Sequence, residues 1–383
     1  MSLDKQVPFF GVDRQFAEHR EGLMLATEKA LASGKSLQGP DVVNLENEMA
    51  ELCHRRYGVA VGSCTDALAF SLYALNIGPG DEVIVPAISF FASVSCVLRV
   101  GATPVFADID MHFGMIDTNK LESLINAKTK AIIAVHLYGQ TLDMADLERI
   151  AKRNNIALVE DAAQALGAKD KQRPAGSMGQ TSCISFDPTK VLNASGSGGI
   201  VLTDDSDIYE AIKRLRYHGR DQKTREIIEI GYNSQLASDK AAQLRYKLAF
   251  LKDWQKRRAA IAGYYNSELS NIPGIGIPTI RPGSTHNWHK YVLDIAVGRD
   301  GLREHLKQSN VSAMVHYDKT LADEPVVQAL QLDPLQTNTP VAKQKVKQVL
   351  SLPIFAELTD LEVEKVVSSI KTYYTASPMR ESA

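Results

Sequence analysis

The chain has 383 residues, of which 44% are hydrophobic and 23% are charged, and its formal net charge at pH 7 is −2. This composition is that of an ordinary soluble globular protein with room for two or three domain-sized units. The balanced charge excludes a global basic field that would attract nucleic acid. The apolar runs are also far too short to cross a membrane. We therefore expect neither a nucleic-acid partner nor a membrane partner.

The cysteines lie at positions 53, 64, 96 and 183, without CxxC spacing or a disulfide-rich density. The first residues lack the apolar core of a secretion signal. No cluster of His and Cys has the spacing of a zinc site. These features predict a cytoplasmic protein without a metal centre.

Short apolar runs alternate with helical patterns from residue 57 to residue 216. The predicted strands are 57–61, 81–85, 104–107, 131–137, 157–160, 183–186 and 200–203. The predicted helices are 65–75, 93–100, 119–126, 144–154 and 206–216. Alternation of this kind predicts an α/β fold with a mostly parallel sheet between helices. Ligands of such sheets bind beyond the carboxyl ends of the strands.

The remaining sequence has a different pattern. Residues 236–269 are helical and could be broken near Asp253, and a loop rich in Pro and Gly follows at 272–278. A strand at 290–295 and helices at 300–309, 341–349 and 360–373 complete the chain. We expect a large α/β domain over residues 1–250 and a smaller α+β domain over residues 251–383.

Two charged residues suggest the chemistry. Lys190 follows the apolar run 183–186, and Asp161 ends the run 157–160. A lysine can form a Schiff base with the aldehyde of pyridoxal phosphate (PLP). A carboxylate can pair with the pyridine nitrogen of that cofactor and keep it protonated. A lone lysine is more often a solvated surface charge, so this hypothesis depends on the residues around it.

The segment from Gly62 to Leu68 is a strand–turn–helix junction, and its backbone N–H groups with the Thr65 hydroxyl could bind a phosphate. The alternative is an ordinary helix cap by Ser63 or Thr65. Phe90 follows the next strand and could stack on a planar ring, or it could belong to the core. His136 and Tyr138 could line the same site or be ordinary polar residues at a strand end.

Taken together, these segments resemble the fold-type I, PLP-dependent nucleotide-sugar aminotransferases of the DegT/StrS family along nearly the whole chain. The matching segments are 8–13, 62–68, 77–87, 101–110, 159–165, 185–190, 218–220 and 231–233. The resemblance implies a seven-stranded, mostly parallel sheet sandwiched by helices.

The resemblance also implies roles for individual residues. Lys190 would carry the cofactor, and Asp161 would hold its pyridine nitrogen. The other implied cofactor contacts are Thr65, the backbone of Asp66 and Ser185 at the phosphate, Gln164 near the phenolic oxygen, and Phe90 stacked on the ring. Asn233 would reach the phosphate of the neighbouring subunit, which implies an obligate homodimer with shared active sites.

The implied reaction has two halves. An amino acid, typically L-glutamate in this family, gives its amino group to the cofactor, and a nucleotide-linked keto-sugar then accepts it for surface polysaccharide, glycoprotein or antibiotic sugars. Lys190 would act as general base with a lowered pKa. The long loop 190–199 is frequent in members that act on 3-keto sugars, so we expect a 3-keto rather than a 4-keto substrate.

Some residues depart from the family pattern. Ser197 replaces an acidic residue, and Gln235 replaces a frequent arginine that could hold a substrate anion. Asp187 replaces a common His or Tyr, and Asp239 and Lys240 replace Leu-Gln. Two alternatives follow: a PLP-binding regulatory protein without turnover, and a PLP-dependent sugar dehydratase. The dehydratase branch carries histidine at the lysine position, so Lys190 argues against it.

Overall fold

The computed structural model describes residues 6–376 of the chain. Its strands are β1 (Tyr57–Val61), β2 (Glu82–Pro86), β3 (Thr103–Ala107), β4 (Thr129–Val135), β5 (Ala157–Asp161), β6 (Lys169–Asp170), β7 (Arg173–Pro174), β8 (Thr181–Ser185), β9 (Gly199–Thr203), β10 (Ile275–Gly276), β11 (Tyr291–Ile295) and β12 (Val349–Leu352). Its α-helices are α1 (Val12–Ala32), α2 (Pro40–Leu52), α3 (Cys64–Ala74), α4 (Ala92–Arg99), α5 (Thr118–Leu121), α6 (Met144–Asn154), α7 (Ser206–Leu215), α8 (Ser238–Leu248), α9 (Leu251–Leu269), α10 (Arg299–Gln308), α11 (Pro325–Gln328), α12 (Pro334–Thr337), α13 (Pro340–Lys345) and α14 (Asp360–Ala376).

The main sheet has seven strands in the order β1-β9-β8-β5-β4-β2-β3. The strands from β8 to β3 are parallel, and β9 runs antiparallel to both of its neighbours. The predicted α/β fold with a mostly parallel seven-stranded sheet is therefore confirmed. In the part of the chain described, no helix has both the length and the apolar character needed to cross a lipid bilayer.

Helices cover both faces of this sheet because alternate strand residues point to opposite sides. Val59 and Val61 of β1 pack into a core with α3, α4 and α6, whereas Ala60 between them packs into a core with α2 and α8. In β8, Cys183 and Ile184 divide in the same way. The sheet is thus buried on both sides, as its near-continuous apolar strands predict.

A second, three-stranded antiparallel sheet has the order β10-β11-β12. Its core contains residues of α9, α10 and α14 together with Val7, which pairs with Val311. Near Val7, Arg14 forms a two-pronged ion pair with Glu362 of α14, at 2.7 and 2.6 Å. The N-terminal segment therefore packs on the C-terminal core. The division of the chain into domains at residue 250 stays a prediction.

Some predicted elements differ from the structure. The predicted helix 341–349 is wrong beyond Lys345, because Val349–Leu352 is a strand paired with β11. A short apolar run has the same appearance in a buried strand as in a helix, so the pattern could not separate the two. The predicted helix 119–126 is α5 followed by one 3₁₀ turn, Glu122–Leu124. The break in the 236–269 helix lies between α8 and α9, at residues 249–250.

A buried carboxylate holds the middle of the main sheet. Glu160 of β5 is fully buried, and its oxygens accept hydrogen bonds from the amides of Gly176 and Met178, both at 2.7 Å, and from the Ser182 hydroxyl at 2.6 Å. The His136 ring lies 2.9 Å away, through Nε2, while its Nδ1 accepts from an amide. Burial alone would raise the pKa of Glu160, but the His136 and Ser182 contacts bring it below its usual value.

We expect Glu160→Gln to destabilise the fold by about 3–5 kcal/mol, because an amide cannot accept from all of these buried donors. Urea unfolding at pH 7 measures this loss. The lowered pKa means that the carboxylate stabilises the protein above its unfolded pKa of about 4.3, and that this contribution disappears as the pH falls through the folded value. The difference in unfolding free energy between wild type and Glu160→Gln should therefore become smaller towards pH 3. Glu364→Gln, at an exposed position, is the control; an equal loss in both variants contradicts the prediction.

Candidate active site

Asp161 is placed by the same strand that buries Glu160. Adjacent strand residues face opposite sides, so Glu160 enters the core and Asp161, the last residue of β5, faces the carboxyl edge of the sheet. Asp161 is 5% exposed, and its Oδ1 accepts from the Ala163 amide at 3.1 Å. The sheet thus presents a buried carboxylate at the edge where ligands of α/β proteins bind.

Lys190 lies on the turn that follows β8. Its amide donates to the carbonyl of Asp187 at 2.9 Å, and its own carbonyl accepts from the Asn193 side chain at 3.2 Å. Asn193 is in turn bound by the ammonium of Lys247 at 2.5 Å. These bonds hold the backbone of the turn and leave the Lys190 side chain free to enter the cavity beyond the sheet.

Most of the predicted site residues line one cavity of about 490 Å³. The predicted residues in its wall are Lys190, Asp161, Gln164, Thr65, Phe90 and Ser185. The amine of Lys190 and the carboxylate of Asp161 therefore share a single cleft, which is the arrangement that the sequence hypothesis requires.

Burial shifts the pKa values of Asp161 and Lys190 in opposite directions. Burial raises the pKa of Asp161, and the nearby Lys190 opposes that shift. Burial lowers the pKa of Lys190, and Cys64 and Asp161 oppose that shift. Burial thus disfavours the charged form of each group relative to water, as expected for ionisable groups in a cavity of low dielectric.

The N-terminus of α3 forms another wall. Ser63 caps this helix, since its Oγ accepts from the Asp66 amide at 3.1 Å, and Thr65 lines the cavity. A β-carbon on Gly199 would lie 2.6 Å from the Cys64 amide nitrogen, so only glycine permits β9 to pass this close to the helix. Ser185 reaches the cavity from the end of the neighbouring strand β8. Hydroxyls and a helix N-terminus are the donors that a phosphate needs.

Gln164 is fixed at both ends of its side chain. Its oxygen accepts from the Tyr138 amide at 2.8 Å, and its nitrogen donates to the Tyr317 hydroxyl at 3.3 Å. Phe90 is 58% exposed in the cavity wall, so it is available to stack on a ligand and is not a core residue.

Two predicted site residues lie outside this wall. The amide of Asp66, the group predicted at the phosphate, donates to the Ser63 hydroxyl at 3.1 Å, and its carboxylate pairs with Arg99 at 2.7 Å and accepts from the Ser234 hydroxyl at 2.8 Å. Asn233, next to Ser234, is exposed. His136 is also outside, bound to Glu160, so its alternative interpretation as an ordinary polar residue describes it better.

The sequence did not single out four cavity residues: His289, Lys290, His316 and Tyr317. They come from the segments before β11 and before α11, more than a hundred residues beyond Asp161. Their only signal was polarity next to apolar runs, which is common in loops. The structure adds basic and phenolic groups to the cavity.

The donor set fits PLP: an amine, a carboxylate, an exposed aromatic ring, and a phosphate-type cradle of hydroxyls at a helix N-terminus. The profile of the DegT/DnrJ/EryC1/StrS aminotransferase family matches residues 18–371. The chain belongs to this family. The resemblance seen in the sequence is therefore confirmed.

Two curated relatives cover almost the whole chain. The erythromycin biosynthesis sensory transduction protein EryC1 of Saccharopolyspora erythraea is 39% identical over 365 residues, which is 95% of this chain and 99% of the relative. The dTDP-3-amino-3,4,6-trideoxy-alpha-D-glucose transaminase of Streptomyces venezuelae is 36% identical and covers 96% of each chain.

Solved structures agree with the fold. The crystal structure of S. venezuelae DesV in complex with a ketimine intermediate has a TM-score of 0.93 at 36% identity, over 96% of this chain and 98% of that chain. The structure of NtdA from Bacillus subtilis with bound pyridoxamine phosphate has a TM-score of 0.88 at 29% identity, over 97% of this chain and 86% of that chain.

Asp161→Asn tests the carboxylate. Because burial raises the pKa of Asp161, its charge disfavours the folded protein without cofactor at pH 8, so the cofactor-free variant should unfold at a higher urea concentration than wild type. Its affinity for PLP should instead fall by about tenfold to a hundredfold, since a charged hydrogen bond to the ring is lost. Urea midpoints and fluorescence titration measure the two effects. Unchanged PLP affinity argues against this assignment of Asp161.

Proposed function

We propose that this protein is a PLP-dependent aminotransferase that moves the amino group of L-glutamate to the keto group of a nucleotide-linked sugar. The observation that carries the proposal is the convergence of Lys190 and Asp161 on one cavity beside the N-terminus of α3. The transaminase from S. venezuelae, by its name, makes a 3-amino sugar, which favours carbon 3 as the acceptor position together with the long loop 190–199. We place the protein in the cytoplasm.

Each cavity residue has its own role in the proposed reaction. When bound, PLP supplies a ring that withdraws electrons from the carbon that gains or loses the amine. Asp161 holds the proton on the pyridine nitrogen, and Thr65 and Ser185 bind the phosphate with the start of α3. Lys190 Nζ, whose pKa is lowered by burial, takes and returns the proton at the reacting carbon. Gln164, fixed by Tyr138 and Tyr317, orients the phenolic oxygen.

A homodimer with shared active sites is part of the proposal. Ile227, Ile228 and Ile230 are 72%, 56% and 91% exposed in the segment just before Asn233. So many large apolar side chains in a short stretch are unusual on a free surface and favour burial against another chain. Asn233 itself is exposed, as a residue that acts in the neighbouring subunit would be.

A regulatory protein without turnover is the second candidate. It is favoured by the name of the relative from S. erythraea and by the replacements at Ser197 and Gln235. Glutamate would then change the cofactor spectrum without any amino-sugar product. Lys190 argues against the dehydratase reading.

The decisive assay supplies L-glutamate and a panel of UDP-, dTDP- and GDP-linked 3-keto and 4-keto sugars, and detects 2-oxoglutarate and the amino sugar by mass spectrometry. We expect turnover with a 3-keto sugar, and we expect Lys190→Ala to reduce it by about 10³-fold or more while the dimer stays folded. The visible absorbance of lysine-bound PLP should disappear with the lysine. If that absorbance persists in Lys190→Ala, another lysine holds the cofactor.

Mixed dimers test the sharing of sites. Lys190→Ala and Asn233→Ala subunits, each impaired alone, are unfolded and refolded together. Half of randomly paired dimers are mixed, and each mixed dimer has one site with both Lys190 and the partner's Asn233 intact, so activity should recover to about a quarter of wild type. If each subunit used its own Asn233, mixing would restore nothing.

A further inference from the structure

A second lysine lines the catalytic cavity. Lys290 is 5% exposed, and its ammonium lies 4.6 Å from the ring centre of Phe10 and 4.9 Å from that of Phe9. The aromatic faces attract the cation but do not neutralise it. The N-terminal segment thus forms a cradle, Phe9 and Phe10, that holds the charge of Lys290 at the cavity.

This charge lacks an ionic partner. Within residues 6–376 no carboxylate forms an ion pair with Lys290; Lys190 and Arg258 add positive charge around it, and Asp187 in the same cavity wall is the nearby negative group. Burial is the main reason that the pKa of Lys290 falls to about 7, and the nearby Lys190 and Arg258 lower it further. A buried ammonium is most stable when an anion forms an ion pair with it, so Lys290 is able to take a ligand anion as its direct ionic partner.

The neighbouring residue gives an independent sign of a missing ligand. His289 is 4% exposed and lines the same cavity, and its Nδ1 has no hydrogen-bond partner among the described residues. Buried polar atoms are nearly always satisfied, so an unsatisfied one in a cavity wall indicates a group that the ligand supplies. Lys290 and His289 are consecutive and offer a charge and a second polar contact to that group.

The position expected to bind a substrate anion carries no positive charge here. Gln235 stands where arginine is frequent, and its side chain contacts Gln38 at 2.5 Å and Asn233 at 3.4 Å, outside the cavity wall. In the described wall, the cationic side chains other than histidine are Lys190 and Lys290. Since Lys190 serves the chemistry, Lys290 is the cation available for binding.

We propose that Lys290, with His289, forms a subsite for a substrate carboxylate, belonging either to the amino-acid donor or to an acidic acceptor sugar. The proposal rests on the proposed function, because it assumes that these substrates enter the cavity. Lys290 binds the substrate carboxylate and does not transfer protons. Its loss should therefore change KM more than kcat.

Lys290→Gln removes the charge and keeps most of the length, Lys290→Arg keeps the charge, and Lys252→Gln removes an exposed lysine as the control. Glutarate, an inert dicarboxylate without an amine, is titrated into the holoenzyme by calorimetry. We expect Lys290→Gln to weaken glutarate binding, or to raise KM for the carboxylate-bearing substrate, by about tenfold to a hundredfold with kcat changed only a few-fold. Lys290→Arg should restore most of the loss, and Lys252→Gln should match wild type.

The two half-reactions show whether the bound carboxylate belongs to the amino-acid donor or to the acceptor sugar. A rise in the glutamate concentration needed for the donor half-reaction assigns the subsite to the donor. A rise in KM for a uronate-type acceptor, with a neutral acceptor unaffected, assigns it to the sugar. Unchanged glutarate binding and unchanged KM for both substrates in folded Lys290→Gln overturn the proposal, as does a loss confined to kcat. If wild type has no turnover but binds glutarate through Lys290, the subsite stands and the proposed function fails.

Discussion

The structure depends on one buried carboxylate at the centre of the main sheet. Glu160 accepts hydrogen bonds from β8 and from the loop before it, and it lies beside His136 at the end of β4, so β5 is joined to both of its neighbouring strands. Because strand residues alternate, the next side chain, Asp161, must then face the ligand cavity. A single strand thus separates two acids that are adjacent in sequence: one keeps its charge through hydrogen bonds in the core, and the other is buried at the cavity with a raised pKa.

The cavity is electrostatically incomplete without its ligands. Burial raises the pKa of Asp161 and lowers that of Lys190; within the described chain Lys290 has no ion-pair partner and His289 Nδ1 has no hydrogen-bond partner. Groups of this kind reduce the stability of the empty fold and are retained where they act. In the proposed function, the ring nitrogen of a bound cofactor pairs with Asp161 and a substrate anion pairs with Lys290. This is the physical reason for reading the cavity as a transaminase site.

Much of the fold was predictable because local sequence signals, such as capping residues, mark where its elements begin and end. Helix α6 was predicted with its observed bounds: Asp143 caps the start, and Asn155 ends it in the left-handed conformation. The predicted helix 341–349 extended into Val349, the first residue of β12, because the buried residues of that strand carry no periodicity of their own and only pairing with β11 decides their conformation. In the cavity wall, Lys190 and Asp161 could be singled out because Lys190 follows the recognisable strand β8 and Asp161 ends the recognisable strand β5. Lys290 and His289 could not, because long-range packing brings them to the cavity.

The aromatic pair near the start of the chain has a practical consequence. Val7 forms a β-bridge with Val311, and the rings of Phe9 and Phe10 that follow it lie against Lys290. A segment fused to the amino terminus would therefore be joined to the chain a few residues before Phe9 and Phe10. Changes to the chain at residues 7–10 would therefore reach both the pairing with Val311 and the surroundings of Lys290.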